Sequence, residues 1–266
     1  AQKRIGKGAA ATGPATAHSR SSTDGDWHGR GLLGLQGVSA ADLRAVLVRS
    51  ARYQPGANLP ETRTNELTGR TVATMFFEDS TRTKTSFTLA ARRMSADVVD
   101  LSTGSSSVNK GETLIDTART VEAMGVSAMV VRAKQNGAAA MIAGAVKCPV
   151  INAGDGKHEH PTQGLLDALT IAEAHGRLDG FDLSGLTVAI VGDVANSRVA
   201  RSGIAGLTTL GAKVVCVGPP AFVPRGLESL GCTVSHEFDA VLPKADAVMM
   251  LRIQFERHGT DAESKP

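Results

Sequence analysis

The sequence predicts an α/β chain built as two doubly wound halves, each a mainly parallel sheet flanked by helices. Three observations predict it. Short, β-rich apolar segments alternate with longer segments of helical composition over most of the chain. The alternation restarts after His160, where a long helix joins the two halves. No internal repeat is present, and no low-complexity block beyond the N-terminal tail.

Residues 1–30 stand apart from the rest. Up to Thr23 they carry Lys3, Arg4, Lys7 and Arg20, no acid, and much Ala, Gly, Ser and Thr. They read as a flexible tail. The same basic, Ser-rich, acid-poor composition also fits an organelle transit segment, while the continuous apolar core of a secretory signal is missing from it. Order is expected from about Leu32. Ser39 before Ala-Ala-Asp-Leu suits an N-cap, with a helix to about Arg52. Strands are expected at Thr71–Phe77 (TVATMFF), Asp97–Leu101, Ala128–Arg132 (AMVVR, buried) and Pro149–Asn152. Helices at Thr81–Ser95, Thr113–Met124 and Ala138–Val146 separate them, which is the rhythm of a parallel sheet covered by helices.

A helix from about Thr162 to His175 then leads through Gly176, Gly180 and Gly185 to a strand at Leu186–Val191 (LTVAIV). A helix near Val199–Leu210, a strand at Lys213–Val217, a helix after Pro224, and strands at Thr233–Ser235 and Ala247–Leu251 follow. The expected domains are residues 31–160 and 161–266.

Composition limits the classes of function. With 42% hydrophobic residues the chain is too apolar to be disordered. A formal charge of +3 gives no bulk drive toward nucleic acid or membrane, so anion handling must be local. No apolar run reaches the roughly 18 residues that span a bilayer. Cys148, Cys216 and Cys232 are widely spaced and odd in number, and read as core residues of a reduced compartment rather than a disulfide framework.

Five segments carry chemistry. In FFEDSTRTKTSF a strand ends at Phe77, and Ser80, Thr81, Arg82 and Thr83 open a helix. Free N–H groups and a positive dipole end, joined by three hydroxyls and a guanidinium, suit a phosphate beyond the carboxyl end of a strand. The alternative is an ordinary capped helix with a surface arginine. In SSSVNKGET, Ser106 and Lys110 lie on a small-residue loop from which a lysine can reach an anion, or which is simply solvated.

In NAGDGKHEHPTQ, His160-Pro-Thr-Gln163 opens a helix, with Pro161 at an ordinary first position. His158, Glu159 and His160 raise the question of a metal. No further ligand completes a set at recognisable spacing, so an imidazole and an amide orienting a small polar substrate is preferred. AIVGDVANSRVARS begins like a dinucleotide fingerprint, but Val194 and Ser197 stand where its later glycines belong; Arg198 and Arg201 near the helix start are of more interest. MLRIQFER places Arg252 and Gln254 on one face at the end of an expected buried strand.

Together the five segments resemble the transcarbamoylases, specifically the aspartate carbamoyltransferase catalytic chains, over roughly Leu32 to Arg257. Ser-Thr-Arg-Thr and His-Pro-Thr-Gln carry most of that specificity. The resemblance implies transfer of a carbamoyl group from carbamoyl phosphate to L-aspartate, a step of pyrimidine biosynthesis, with no metal and no cofactor. It implies that Ser80, Thr81, Arg82, Thr83 and Arg132 hold the phosphate, and that Thr83, Arg132 and His160 polarise the carbamoyl oxygen. Gln163 would contact the carbamoyl amino group, and Arg198, Arg252 and Gln254 the aspartate. Ser106 and Lys110 match loop residues that enter a neighbouring subunit's active site, so a homotrimer with shared sites follows. Glu78 matches a residue that pairs with arginines of the other domain on closure, with Arg198 and Arg257 its expected partners.

A cytoplasmic enzyme acting on carbamoyl phosphate and L-aspartate is the resulting expectation, without nucleic acid or membrane. It leaves room for a regulatory chain or a dihydroorotase as partner. The rival is ornithine carbamoyltransferase. Lys110, the Arg252-x-Gln254 pair and the acidic Glu78-Asp79 before Ser80 favour aspartate. A non-catalytic partner subunit would be expected to lose phosphate-site residues that this sequence retains, and a nucleotide-binding oxidoreductase rests only on Val191-Gly192-Asp193. Relatives normally continue past the position of Arg257 with a His-Pro-(Leu or Gly)-Pro loop and a terminal helix. The 266-residue form alone is therefore expected to have greatly reduced activity.

Overall fold

This computed structural model describes residues 31–54, 63–102 and 113–252. Among the described residues nine strands form two all-parallel sheets, with the order β1-β5-β4-β2-β3 in one and β8-β7-β6-β9 in the other. The first contains β1 (Gly31–Leu32), β2 (Thr71–Phe76), β3 (Asp97–Ser102), β4 (Ala128–Ala133) and β5 (Val150–Asp155). The second contains β6 (Thr187–Val191), β7 (Lys213–Val217), β8 (Thr233–Ser235) and β9 (Ala247–Met250). Helices connect them: α1 (Ala40–Ala51), α2 (Thr81–Arg93), α3 (Leu114–Ala123), α4 (Ala138–Ala145), α5 (Pro161–Ala174), α6 (Arg198–Thr209) and the short α7 (Phe238–Val241).

Local chemistry explains where these elements begin. Ser39 caps α1, its Oγ accepting from Asp42 N at 3.1 Å. Thr113 and Asp116 form a reciprocal capping box at the start of α3. The β2 strand is buried on both faces, as a parallel strand between helices requires. Ala73 and Met75 enter one core with Met129, Val131 and Ile142, whereas Val72 and Phe76 enter another with Ala91 and Val130. A third core joins the second sheet to α5 and α6, and it takes in Leu35, Leu43 and Leu47 from α1 and the segment before it.

The α5 and α6 backbones approach closely. A Cβ at Gly164 would lie 2.8 Å from Leu35 Cδ1 and 3.0 Å from Ser202 Cβ, so only glycine fits without displacement. This contact fixes the start of α5, where His160 sits, against α6, where Arg198 begins.

Two expectations differ from what is observed, and two short elements were not anticipated. The segment after Pro224 is a 3-10 helix, Arg225–Leu230, ended by Gly231 at φ +90°. Among the described residues the last strand lies at an edge of its sheet rather than buried: it pairs there only with β6, and Val248 and Met250 on one of its faces are 38% and 69% exposed. The two-residue β1 and four-residue α7 are too short to leave a periodic signal. Cys216 and Cys232 are buried, and Cys148 packs at the edge of a core; all three are free thiols. No helix among the described residues is long and apolar enough to cross a membrane.

Candidate active site

The carboxyl ends of both sheets face one cleft of about 480 Å³. Parallel registry brings this about. Phe76 is level with Arg132 in the first sheet, and Val191 is level with Met250 in the second. The residues that follow these strand ends therefore meet at a common edge. Ser80, Arg82, Thr83, Arg132, His160, Gln163, Arg198 and Arg252 all line the cleft. Thr81 is exposed at the first position of α2 and is not among the lining residues. Ser106, Lys110, Gln254 and Arg257 lie outside the described residues.

The α2 start is not an ordinary cap. Ser80 has extended backbone angles, but its side chain makes no capping bond, and no acid occupies the first turn. Its hydroxyl and the first N–H groups of α2 thus lie at the mouth of the cleft with a positive dipole end. Arg82, exposed, stands beside them.

Arg132 is the penultimate residue of β4, where the register to β5 shifts, since Val131 faces Asn152 and Ala133 faces Asp155. Such an irregularity re-aims a side chain. Its guanidinium, 11% exposed, lies 3.5 Å from Thr83 Oγ1 and donates to Ala153 O at 3.3 Å and Glu78 Oε1 at 2.9 Å. Arg198, 5% exposed, reaches across from α6 and grips the same carboxylate with two bonds, 2.8 Å to Oε1 and 3.0 Å to Oε2. It also donates to Gly156 O at 3.2 Å. Gly154, at φ +113°, admits it: a Cβ there would sit 2.8 Å from Arg198 Nε. Glu78 thereby ties the first sheet to α6. Its pairing with Arg198 was expected, and its second described partner is Arg132.

His160 is placed by a relay of buried polar groups. Asn152 donates to Leu33 O and Asp155 Oδ1, both at 2.9 Å. Asp155 accepts from Gly137 N at 2.7 Å, Glu159 N at 3.1 Å and His158 Nδ1 at 3.1 Å. Glu159 accepts from Leu35 N at 2.7 Å and Ser202 Oγ at 2.8 Å, and Ser202 Oγ accepts from His160 N at 2.9 Å. His158 and Glu159 are thus committed to the scaffold. Among the described residues no group of three or more His, Cys, Asp or Glu is placed to hold a metal.

Burial, then the positive charges of Arg198 and Arg132, pulls the His160 imidazole down to about 3 from an ordinary 6.5, with Glu78 acting in the opposite sense. The ring is neutral near neutral pH. The unfolded chain takes up this proton near pH 6.5 and the folded chain only near 3, so stability falls as pH falls through that window. From pH 7 to pH 5 this residue is expected to cost roughly 2 kcal/mol of folding free energy. Denaturant unfolding of wild type and His160→Gln at both pH values measures this share. Equal pH dependence in the two proteins would mean that the ring is not held neutral.

Five cations, Arg82, Arg132, Lys134, Arg198 and Arg252, line the cleft against Glu78 and Asp79, so the field there favours anions. Lys134 was not anticipated from the sequence. It directly follows β4, and only the course of that strand brings it to the cleft. Arg201 lines a different cavity, with Gln36 and His158. A further opening of about 290 Å³, lined in part by Thr83, Phe87, Gln163 and Leu166, adjoins the site.

Residues 30–173 match the aspartate/ornithine carbamoyltransferase, carbamoyl-P binding domain family. The aspartate carbamoyltransferase catalytic subunit of Myxococcus xanthus is 54% identical over 228 residues, covering 86% of this chain and 74% of that protein. That of Rhodospirillum rubrum is 53% identical, covering 86% and 70%. Among solved structures, aspartate transcarbamoylase from Trypanosoma cruzi in complex with carbamoyl phosphate and aspartate superposes with a TM-score of 0.76 at 33% identity, covering 86% and 74% of the two chains. The same enzyme with N-(phosphonacetyl)-L-aspartic acid gives a TM-score of 0.75 at 33% identity, covering 86% and 76%.

Proposed function

The chain belongs to the aspartate/ornithine carbamoyltransferase family, and from that premise we propose how its cleft carries out the reaction. It is an aspartate carbamoyltransferase: it transfers the carbamoyl group of carbamoyl phosphate to the amino group of L-aspartate, giving N-carbamoyl-L-aspartate and phosphate. The observation that carries the residue assignment is the convergence of the α2 start, Arg132, His160, Gln163, Arg198 and Arg252 on one cationic cleft.

The first half, residues 31–160, binds carbamoyl phosphate, and the second, 161–266, binds aspartate. Ser80, Arg82, the α2 N–H groups at Thr81 and Thr83, and Arg132 hold the phosphate. Thr83, Arg132 and neutral His160 donate to the carbamoyl oxygen. Thr162 Oγ1 lies 3.4 Å from His160 Nδ1; a hydroxyl donating there leaves the ring proton on Nε2, available to that oxygen. Gln163 contacts the carbamoyl amino group. Arg198 and Arg252, with Gln254 and Lys110, take the aspartate carboxylates. Glu78 holds Arg132 and Arg198 together in the free cleft and fixes the two halves relative to each other, with Arg257 a further partner on closure.

The lone pair of the aspartate amine forms the new C–N bond as the carbonyl electrons move onto oxygen. The oxyanion faces Thr83, Arg132 and His160, and one such donor is worth roughly 3–4 kcal/mol. Collapse breaks the C–O bond to phosphate, and the departing phosphate accepts the amine proton. No side chain needs to act as nucleophile. Holding two anions in one geometry supplies the rest of the acceleration.

The unit is a homotrimer in the cytoplasm, with Ser106 and Lys110 reaching a neighbour's cleft. The opening beside Thr83 and Gln163, and Leu89 and Leu166, exposed at 46% and 54%, support a covering surface on that side. The substrate choice is tested by assaying the full-length protein with carbamoyl phosphate and either aspartate or ornithine. Aspartate is expected to be preferred by roughly 100-fold or more in kcat/KM. A preference for ornithine would overturn the assignment.

A further inference from the structure

Gln163 lines the cleft, but an amide has two unlike ends, a donor and an acceptor, and either can face a ligand. The structure fixes the choice. Gln163 Nε2 donates to Asp167 Oδ1 at 2.9 Å, one turn further along α5. With its donor end taken by a carboxylate, the amide keeps its acceptor, Oε1, for the cleft. A carbamoyl amino group is a donor and needs such an acceptor. The reverse orientation would set Gln163 Oε1 against Asp167 Oδ1, two acceptors facing each other, and would present N–H groups to the N–H groups of the substrate.

We infer that Asp167 is a positioning residue for carbamoyl phosphate recognition, holding the Gln163 amide so that its oxygen faces the carbamoyl amino group. The inference rests on the reading of Gln163 as the carbamoyl contact. Asp167 is absent from the lining of both openings that Gln163 borders, so it acts through Gln163 rather than on the substrate. Its other oxygen, Oδ2, is buried and has no hydrogen-bond partner among the described residues, a costly arrangement for a group that only filled space. Burial pushes this carboxyl up, and the bond from Gln163 opposes that rise by favouring the ionised acceptor.

A double-mutant cycle on the full-length protein tests it, reading KM for each substrate and the thermal midpoint. Gln163→Ala and Asp167→Ala are each expected to raise KM for carbamoyl phosphate by roughly tenfold and to leave KM for aspartate within about twofold. Asp167→Ala added to Gln163→Ala is expected to change KM for carbamoyl phosphate by less than about twofold further, because the residue being positioned is already gone. Asp167→Asn keeps an oxygen in the same place and is expected to retain KM within about threefold of wild type.

If Gln163→Ala leaves KM for carbamoyl phosphate unchanged, the reading of Gln163 falls and the inference with it. If Gln163→Ala raises it and Asp167→Ala does not, the inference alone fails. A full further rise from Asp167→Ala in the Gln163→Ala background, or a rise in both KM values together, would assign Asp167 a purely structural role and overturn the proposal. So would an Asp167→Asn protein as impaired as Asp167→Ala at an unchanged thermal midpoint.

Discussion

Arg132→Ala is expected to lower kcat by about 100- to 1,000-fold while the protein stays folded. In the proposed reaction one guanidinium performs three tasks. It would donate to the carbamoyl oxygen as negative charge develops and hold the phosphate, and it shares Glu78 with Arg198. The first task is made chiefly in the transition state, so its loss appears in kcat rather than in KM alone. Removing the side chain also leaves Glu78 with both of its bonds to Arg198, which satisfies the carboxylate and limits the structural cost. Arg132→Lys keeps the charge without the planar fork that spans Thr83, Ala153 and Glu78, and belongs between the two. The check is steady-state turnover with both substrates, alongside the thermal midpoint. An Arg132→Ala protein turning over at the wild-type rate would remove this residue from the oxyanion assignment.

The order of elements was legible in the sequence because each rests on local chemistry. Ser39 and Thr113 announce their helices through hydroxyls that bond within one turn, and TVATMFF can bury itself only as a strand between two helical layers. The α2 edge of the cleft was legible for the same reason: Ser80, Arg82 and Thr83 stand together in sequence at a strand-to-helix turn. What spans the halves was less so. Glu78, Arg132 and Arg198 are far apart along the chain, and nothing near Arg132 signals that it shares a carboxylate with α6. Lys134 enters the cleft only through the course of β4.

The polar relay from Asn152 through Glu159 to Ser202 was missed for a different reason. Those side chains look like surface loop residues in sequence, and a His-Glu-His run invites a metal. Only the fold shows that Glu159 is consumed by Leu35 N, Gln36 N and Ser202. Depth within the second sheet was misjudged as well. AVMM is apolar enough for a central strand, and its edge position among the described residues follows from pairing order, which composition does not encode.

Mixing two inactive proteins is expected to restore activity. Lys110→Ala removes a cation that the proposed homotrimer delivers to a neighbour's cleft, and His160→Ala removes a donor from a subunit's own cleft. Each homotrimer has every site damaged and is expected to lose about 100-fold or more in turnover. In trimers reassembled from equal amounts, a cleft with intact His160 meets an intact Lys110 whenever neighbours are of opposite type and in the right order. Random assembly places about a quarter of all clefts in that state. Recovery to about a quarter of wild-type turnover would therefore exceed either parent by more than tenfold, a gain that no single-subunit site can produce. Two copies of the same variant, dissociated and reassembled in the same way, control for partial refolding. Mixed trimers separated by a charge tag and found as inactive as their parents would show that each cleft is built from one chain alone.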